Sequence, residues 1–139
     1  MHLNKIKNTF KKRQILKLLK QLKKEEIKGE GFISCVVFSM NRAMQLNALL
    51  DSLFINDCRD LKVIVMFRAS SEEHHKSYME LKAKFRERVS FFEEKKSFKQ
   101  DLVNVIESIK SKKMFFLVDD IIFIRPLDVS ILKKIDPFQ

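Results

Sequence analysis

Met114-Phe115-Phe116-Leu117-Val118-Asp119-Asp120-Ile121-Ile122-Phe123-Ile124 sets two adjacent carboxylates in the middle of an apolar run. Aspartate is depleted in strands and costly to bury unpaired, so a strand that ends in two of them offers them to something positive. The first candidate is a divalent metal carrying a phosphorylated ligand. Because successive strand residues point to opposite faces, the two need not share one job. The economical assignment puts Asp120 on the metal and Asp119 on a sugar hydroxyl or on a group that touches the metal's own ligands.

Upstream of this run the pattern alternates. Ser97-Phe98-Lys99-Gln100 has the form of a capping box, and Leu102, Val105, Ile106 and Ile109 after it fall on one helix face. Val89-Ser90-Phe91-Phe92 reads as a strand before that helix. Earlier still, Leu61 to Phe67 is a strand, Ser70 to Glu73 a second capping box, and Tyr78, Leu81 and Phe85 the buried stripe of the next helix. His74 and His75 within it lack a ligand partner at convincing spacing and read as surface residues. Phe32-Ile33-Ser34-Cys35-Val36-Val37-Phe38 suits a strand buried on both faces; it ends at Ser39-Met40-Asn41-Arg42, and a helix with Leu46, Leu49, Leu50 and Leu53 inward follows, closed by Asn56-Asp57. Downstream of the opening run, Asp128 caps a short helix bearing Ile131, Leu132 and Ile135.

Strands alternating with helices predict an α/β, Rossmann-like, mainly parallel sheet of about four strands with flanking helices. Such sheets bind ligands beyond the carboxyl ends of their strands, above all where strand order reverses. If the first and fourth strands are neighbours, Ser39 to Arg42 and Asp119-Asp120 meet on one rim. Arg42 there faces a phosphate or a base, or is an ordinary exposed arginine.

A chain of 139 residues, 45% hydrophobic and 33% charged, has the length and composition of one globular domain. Its net charge of +10 is concentrated in residues 1–28, where ten Lys or Arg oppose Glu25 and Glu26. The body, residues 29–139, is nearly neutral, so a broad nucleic-acid-binding face is not indicated. Within the arm, Ile15, Leu18, Leu19 and Leu22 keep helical spacing between lysines. That basic amphipathic helix fits an anionic membrane surface, or packs by its leucines on the domain or a partner. Gly29-Glu30-Gly31 marks the hinge between arm and body. Two cysteines, no signal peptide and no apolar run of spanning length predict a reduced, cytoplasmic chain, peripheral at the inner membrane face if the arm binds lipid.

Val36-Val37-Phe38-Ser39-Met40-Asn41-Arg42-Ala43-Met44-Gln45-Leu46, followed later by Phe116-Leu117-Val118-Asp119-Asp120-Ile121-Ile122-Phe123, resembles the family 2 glycosyltransferases of the GT-A fold. Their first strand ends in a Thr-Tyr-Asn-Arg-like turn and their fourth in an acidic DxD or xDD signature; the likeness covers roughly Phe32 to Asp136. It implies that Ser39, Asn41 and Arg42 line a nucleotide pocket while Asp119 and Asp120 hold the ribose and a diphosphate bound to Mn²⁺ or Mg²⁺. A sugar would then pass from a nucleoside-diphosphate donor to a hydroxyl of a glycan or lipid-linked acceptor with inversion, assisted by a base. The chain departs from the pattern at Met40, where the family has Tyr, and at Arg68, near where it often has a base-binding acid. The family's acceptor half, which carries the base, continues well past the acidic motif, whereas this sequence ends at Gln139. The chain therefore reads as the donor-binding half. A different metal-dependent nucleotidyl or phosphoryl transferase, and a non-catalytic membrane- or nucleic-acid-binding module acting through the arm, are the alternatives.

Overall fold

The computed structural model describes residues 32–55 and 60–135. The amphipathic arm, the Gly29 to Gly31 hinge, the Asn56-Asp57 stop and Cys58 all lie outside the described residues. Four strands and four helices alternate: β1 (Ile33–Met40), α1 (Ala43–Phe54), β2 (Leu61–Arg68), α2 (Glu72–Lys84), β3 (Val89–Glu93), α3 (Phe98–Ser108), β4 (Lys113–Val118) and α4 (Val129–Lys134). The sheet is all parallel in the order β3-β2-β1-β4. This is the α/β, Rossmann-like arrangement that the alternation predicts. Strand order runs outward from β1 to β3 and then jumps back, so the reversal falls between β1 and β4. Among the described residues no helix is long and apolar enough to cross a membrane.

β1 is central, which explains its nearly unbroken apolar run: Cys35, Val36 and Val37 have no exposed surface although they point to alternate faces. Burial pushes the Cys35 thiol up to about 12, so it stays a neutral packing group. One face carries the main core, with Leu46, Leu49, Leu50 and Leu53 of α1 and Tyr78, Leu81 and Phe85 from α2 and its end against Ile33, Cys35, Val37, Val63, Val65 and Phe67. The other is covered by α3, whose Val105 meets Val36 and Met66.

The end of β4 holds, and other local expectations change. β4 stops at Val118, so the Asp119-Asp120 pair ends the strand as the sequence predicts. Ile121 and Phe123 turn onto the main core, and the Phe123 amide donates to Ser52 Oγ on α1 at 3.0 Å, which offers those side chains more burial than an edge strand would. The cap of α2 is Ser71, not Ser70: its hydroxyl accepts from the His74 amide at 3.2 Å, because Ser70 is used elsewhere. On α3, Ile106 is exposed and Asp101 takes a buried place on the inward face. The caps at Ser97 and Asp128 form, onto the Gln100 amide and onto the Ser130 and Ile131 amides respectively, but the Gln100 side chain donates to Asn104 at 3.4 Å, not back to Ser97 as a full capping box would have it. Leu132 of α4 packs on the core, whereas Ile131 and Ile135 remain exposed.

Asp101 is buried because one of its oxygens answers two backbone amides. Its Oδ2 accepts from the Lys95 and Lys96 amides at 2.9 Å each and holds the loop that leads from β3 into α3. The Lys96 amide above all, with the Lys95 amide and against the cost of burial, keeps its carboxyl below the ordinary value. A carboxylate whose folded value is depressed adds stability above the ordinary range, about pH 4, and loses it as pH falls through the lowered folded value. Asp101→Asn is therefore expected to be less stable than wild type near neutrality. In urea unfolding followed across acid pH, the gap between the two proteins should close; a gap independent of pH would contradict this.

Candidate functional site

The carboxyl ends of β1, β2 and β4 open on a cleft of about 590 Å³ lined by Phe38, Ser39, Met40, Asn41, Arg42, Met66, Arg68, Glu94, Phe98, Val118, Asp119 and Asp120. It sits at the reversal of strand order. All the residues singled out from sequence line it, because β1 and β4 are neighbours and run in register up to Phe38 opposite Val118. One residue further, Ser39 and Asp119 leave the sheet side by side.

Both are buried, at 7% and 6% exposure. Ser39 Oγ donates to Asp119 Oδ2 at 2.7 Å. Ser39 Oγ also lies 2.6 Å from the hydroxyl of Tyr78, and the backbone amide of Arg42 donates to that hydroxyl at 3.0 Å. Serine has one proton, and here it is given to the carboxylate, so the Tyr78 hydroxyl must donate to Ser39. The result is a directed relay: Arg42 N–H to Tyr78, Tyr78 O–H to Ser39, Ser39 O–H to Asp119. Burial pushes the Tyr78 phenol up, and the charge of Asp119 adds to this while the hydrogen bonds with Ser39 and Arg42 oppose it. The phenol remains a protonated donor.

Arg42 extends the arrangement. Its guanidinium stands 3.7 Å from Asp119 Oδ1 with its side chain half exposed. It is also the N-cap of α1, with no side-chain cap and no acidic residue in the first turn. An uncapped helix start collects partial positive charge, which favours an anion in front of it. Asp120 is exposed beside this group, and among the described residues its side chain makes no hydrogen bond or ion pair.

Asn41 lines the cleft and also ties its rim together. It adopts φ 58°, a left-handed conformation that asparagine tolerates better than most residues. Its amide nitrogen bonds the Arg68 carbonyl at 3.1 Å, and its side-chain oxygen accepts from the Ser70 amide at 2.8 Å. Its side-chain nitrogen donates to Ser70 Oγ. Asn41 thus clips the turn after β1 to the turn after β2, and the polar atoms of its side chain are engaged by Ser70. Across the cleft Arg68 pairs with Glu94 at 3.2 Å. His75 is half exposed on the flank of the sheet, with Nε2 3.6 Å from Glu93 Oε1, in keeping with a surface residue.

Among the described residues no group of three or more His, Cys, Asp or Glu is placed to hold a metal ion. Asp119 is already engaged by Ser39 and faces Arg42, which leaves Asp120 as the accessible carboxylate. The donor set therefore fits Mg²⁺ or Mn²⁺ only as an ion shared with phosphate oxygens, a mode in which one or two carboxylates suffice. It does not fit a cation held by protein alone.

Glu94 on the cleft wall and Tyr78 buried behind it are the groups that sequence reasoning missed. For Tyr78 a signal existed: it is the single tyrosine against thirteen phenylalanines, on a helix face that reads as core, and a buried hydroxyl needs a partner. Nothing in the sequence brings Glu94 to Arg68. Comparison with protein-family models and with curated proteins found no match for this chain.

Proposed function

We propose that this chain is the donor-binding half of a metal-assisted glycosyltransferase similar to family 2 of the GT-A fold, which holds a nucleoside-diphosphate sugar in the β1–β4 cleft. The observation that carries the reading is the buried Ser39–Asp119 hydrogen bond across the reversal of strand order, with Arg42 on its open side. It fixes an acceptor, Asp119, and a cation, Arg42, side by side where α/β sheets bind nucleotides.

In this reading Asp119, an acceptor committed on one oxygen, takes a hydroxyl of the nucleotide sugar on the other. Arg42 and the uncapped start of α1 meet the diphosphate, for which both are electrostatically suited. Asp120 would hold the divalent cation together with phosphate oxygens. Bound there, the cation supplies positive charge that stabilises the departing nucleoside diphosphate. Asn41 keeps the turn in shape rather than touching ligand. The described residues supply no group that we assign as the base.

The test is calorimetry of the chain with UDP, GDP and TDP, each with and without Mn²⁺. At least one nucleotide is expected to bind only with the metal, and Mn²⁺ alone is expected to bind weakly. Asp120→Ala should abolish the metal dependence. No binding of any of the three in the presence of Mn²⁺, or binding indifferent to Asp120, overturns the reading.

A further inference from the structure

We infer that Tyr78 is a positioning residue for the cleft, acting on Asp119 from two sides at once; the inference rests on the nucleotide reading given above. Among the described residues the phenol oxygen is bonded both to Ser39, which donates to Asp119, and to the backbone of Arg42, whose guanidinium faces the same carboxylate. The hydrogen-bond donor of Asp119 and the backbone that carries its cation are thereby held by a single group that lies behind them and lines no part of the cleft.

The geometry leaves the phenol little freedom. Tyr78 is fully buried on α2, and its ring stacks on Phe67 with centroids 4.4 Å apart. A serine hydroxyl is a free rotor with one proton and two lone pairs. With the Tyr78 proton on one lone pair, the proton of Ser39 is directed to Asp119 Oδ2. Remove the phenolic hydroxyl and Ser39 can turn its proton elsewhere, while the Arg42 amide loses its acceptor and the start of α1 is free to shift. Asp119 would keep its place in the chain but lose its fixed orientation, and interactions that depend on aligned hydrogen bonds weaken steeply with misalignment.

An apolar packing role for Tyr78 makes a different prediction, and Tyr78→Phe separates the two because it keeps the ring. With the best of UDP, GDP and TDP in the presence of Mn²⁺, Tyr78→Phe is expected to bind about tenfold more weakly, the size of one lost hydrogen bond. Ser39→Ala should lose at least as much, and Ser39→Thr, which keeps a hydroxyl, should recover most of it. The deciding measurement is the double variant: once Ser39 is alanine only the Arg42 contact of Tyr78 remains to be lost, so Tyr78→Phe should add less than it costs alone. Fully additive losses, or unchanged affinity in Tyr78→Phe, overturn the inference while nucleotide binding by the wild type stands. A wild type that binds none of the three removes the nucleotide reading, and the positioning role with it. The urea midpoint of each variant is measured alongside; a midpoint shift without an affinity shift marks Tyr78 as structural only.

Discussion

Asp119→Asn is expected to leave the fold standing and to weaken nucleotide binding by roughly 10- to 100-fold, the range for losing a charge-assisted hydrogen bond in a fixed site. Asparagine keeps the shape of the side chain and can still accept the Ser39 proton on one atom. It cannot present a second anionic oxygen beside Arg42, and it turns a donor toward any donor of the ligand. Asp119→Ala goes further. It takes the acceptor from a buried serine that is itself receiving the Tyr78 proton, so the whole relay loses its end point. That should cost about 2 kcal/mol of stability in addition to the lost binding. Calorimetry with Mn²⁺ and the best nucleotide, paired with urea unfolding, separates the effects. An Asp119→Asn protein that binds as tightly as wild type would remove Asp119 from the ligand contacts.

The largest effect on the fold is expected at Leu50. It has no exposed surface and lies in the cluster where α1 meets the sheet and α2. Leu50→Ala removes three carbons from a site walled by both layers, where collapse into the void is hindered, and should cost about 3 kcal/mol. For a chain of this size that is a fall of roughly 10 °C in the unfolding midpoint. Met44, on the same helix but 80% exposed, is the control: Met44→Ala should change stability by less than about 0.5 kcal/mol. Circular dichroism melts of the two variants read the contrast directly. Equal midpoints would mean that α1 is not anchored through its leucines.

What could be read from sequence follows from which interactions are local. Phe32 to Phe38 and the leucine stripe of α1 declare their elements because burial imposes a period on them, and alternation of the two periods selects a parallel sheet. The meeting of Ser39 with Asp119 follows from the same rule once β1 and β4 are neighbours. Side-chain partners depend on competition between distant groups. The Asp119-Asp120 pair marks the end of β4, but Ile121 and Phe123 find their surface on the main core, and the cap of α2 moves to Ser71 because Asn41 has taken Ser70. The apolar stripe of α2 shows that position 78 is inward and is silent about where its hydroxyl goes. Asp101 was hidden in the same way, since an aspartate in a first helical turn usually signals solvent and here answers two loop amides.

The clip between Asn41 and Ser70 bears on the kinetics of association. Turns after parallel strands are commonly the mobile parts of such a rim, and ordering one residue's backbone costs about 1–2 kcal/mol. Here the first turn is bound through backbone and side chain to the second, with Asn41 already in its left-handed conformation. That ordering cost falls on folding and not on the encounter with a ligand. Under the nucleotide reading proposed above, a ligand needs no rearrangement at this turn, and stopped-flow binding is expected to show a rate that rises linearly with concentration.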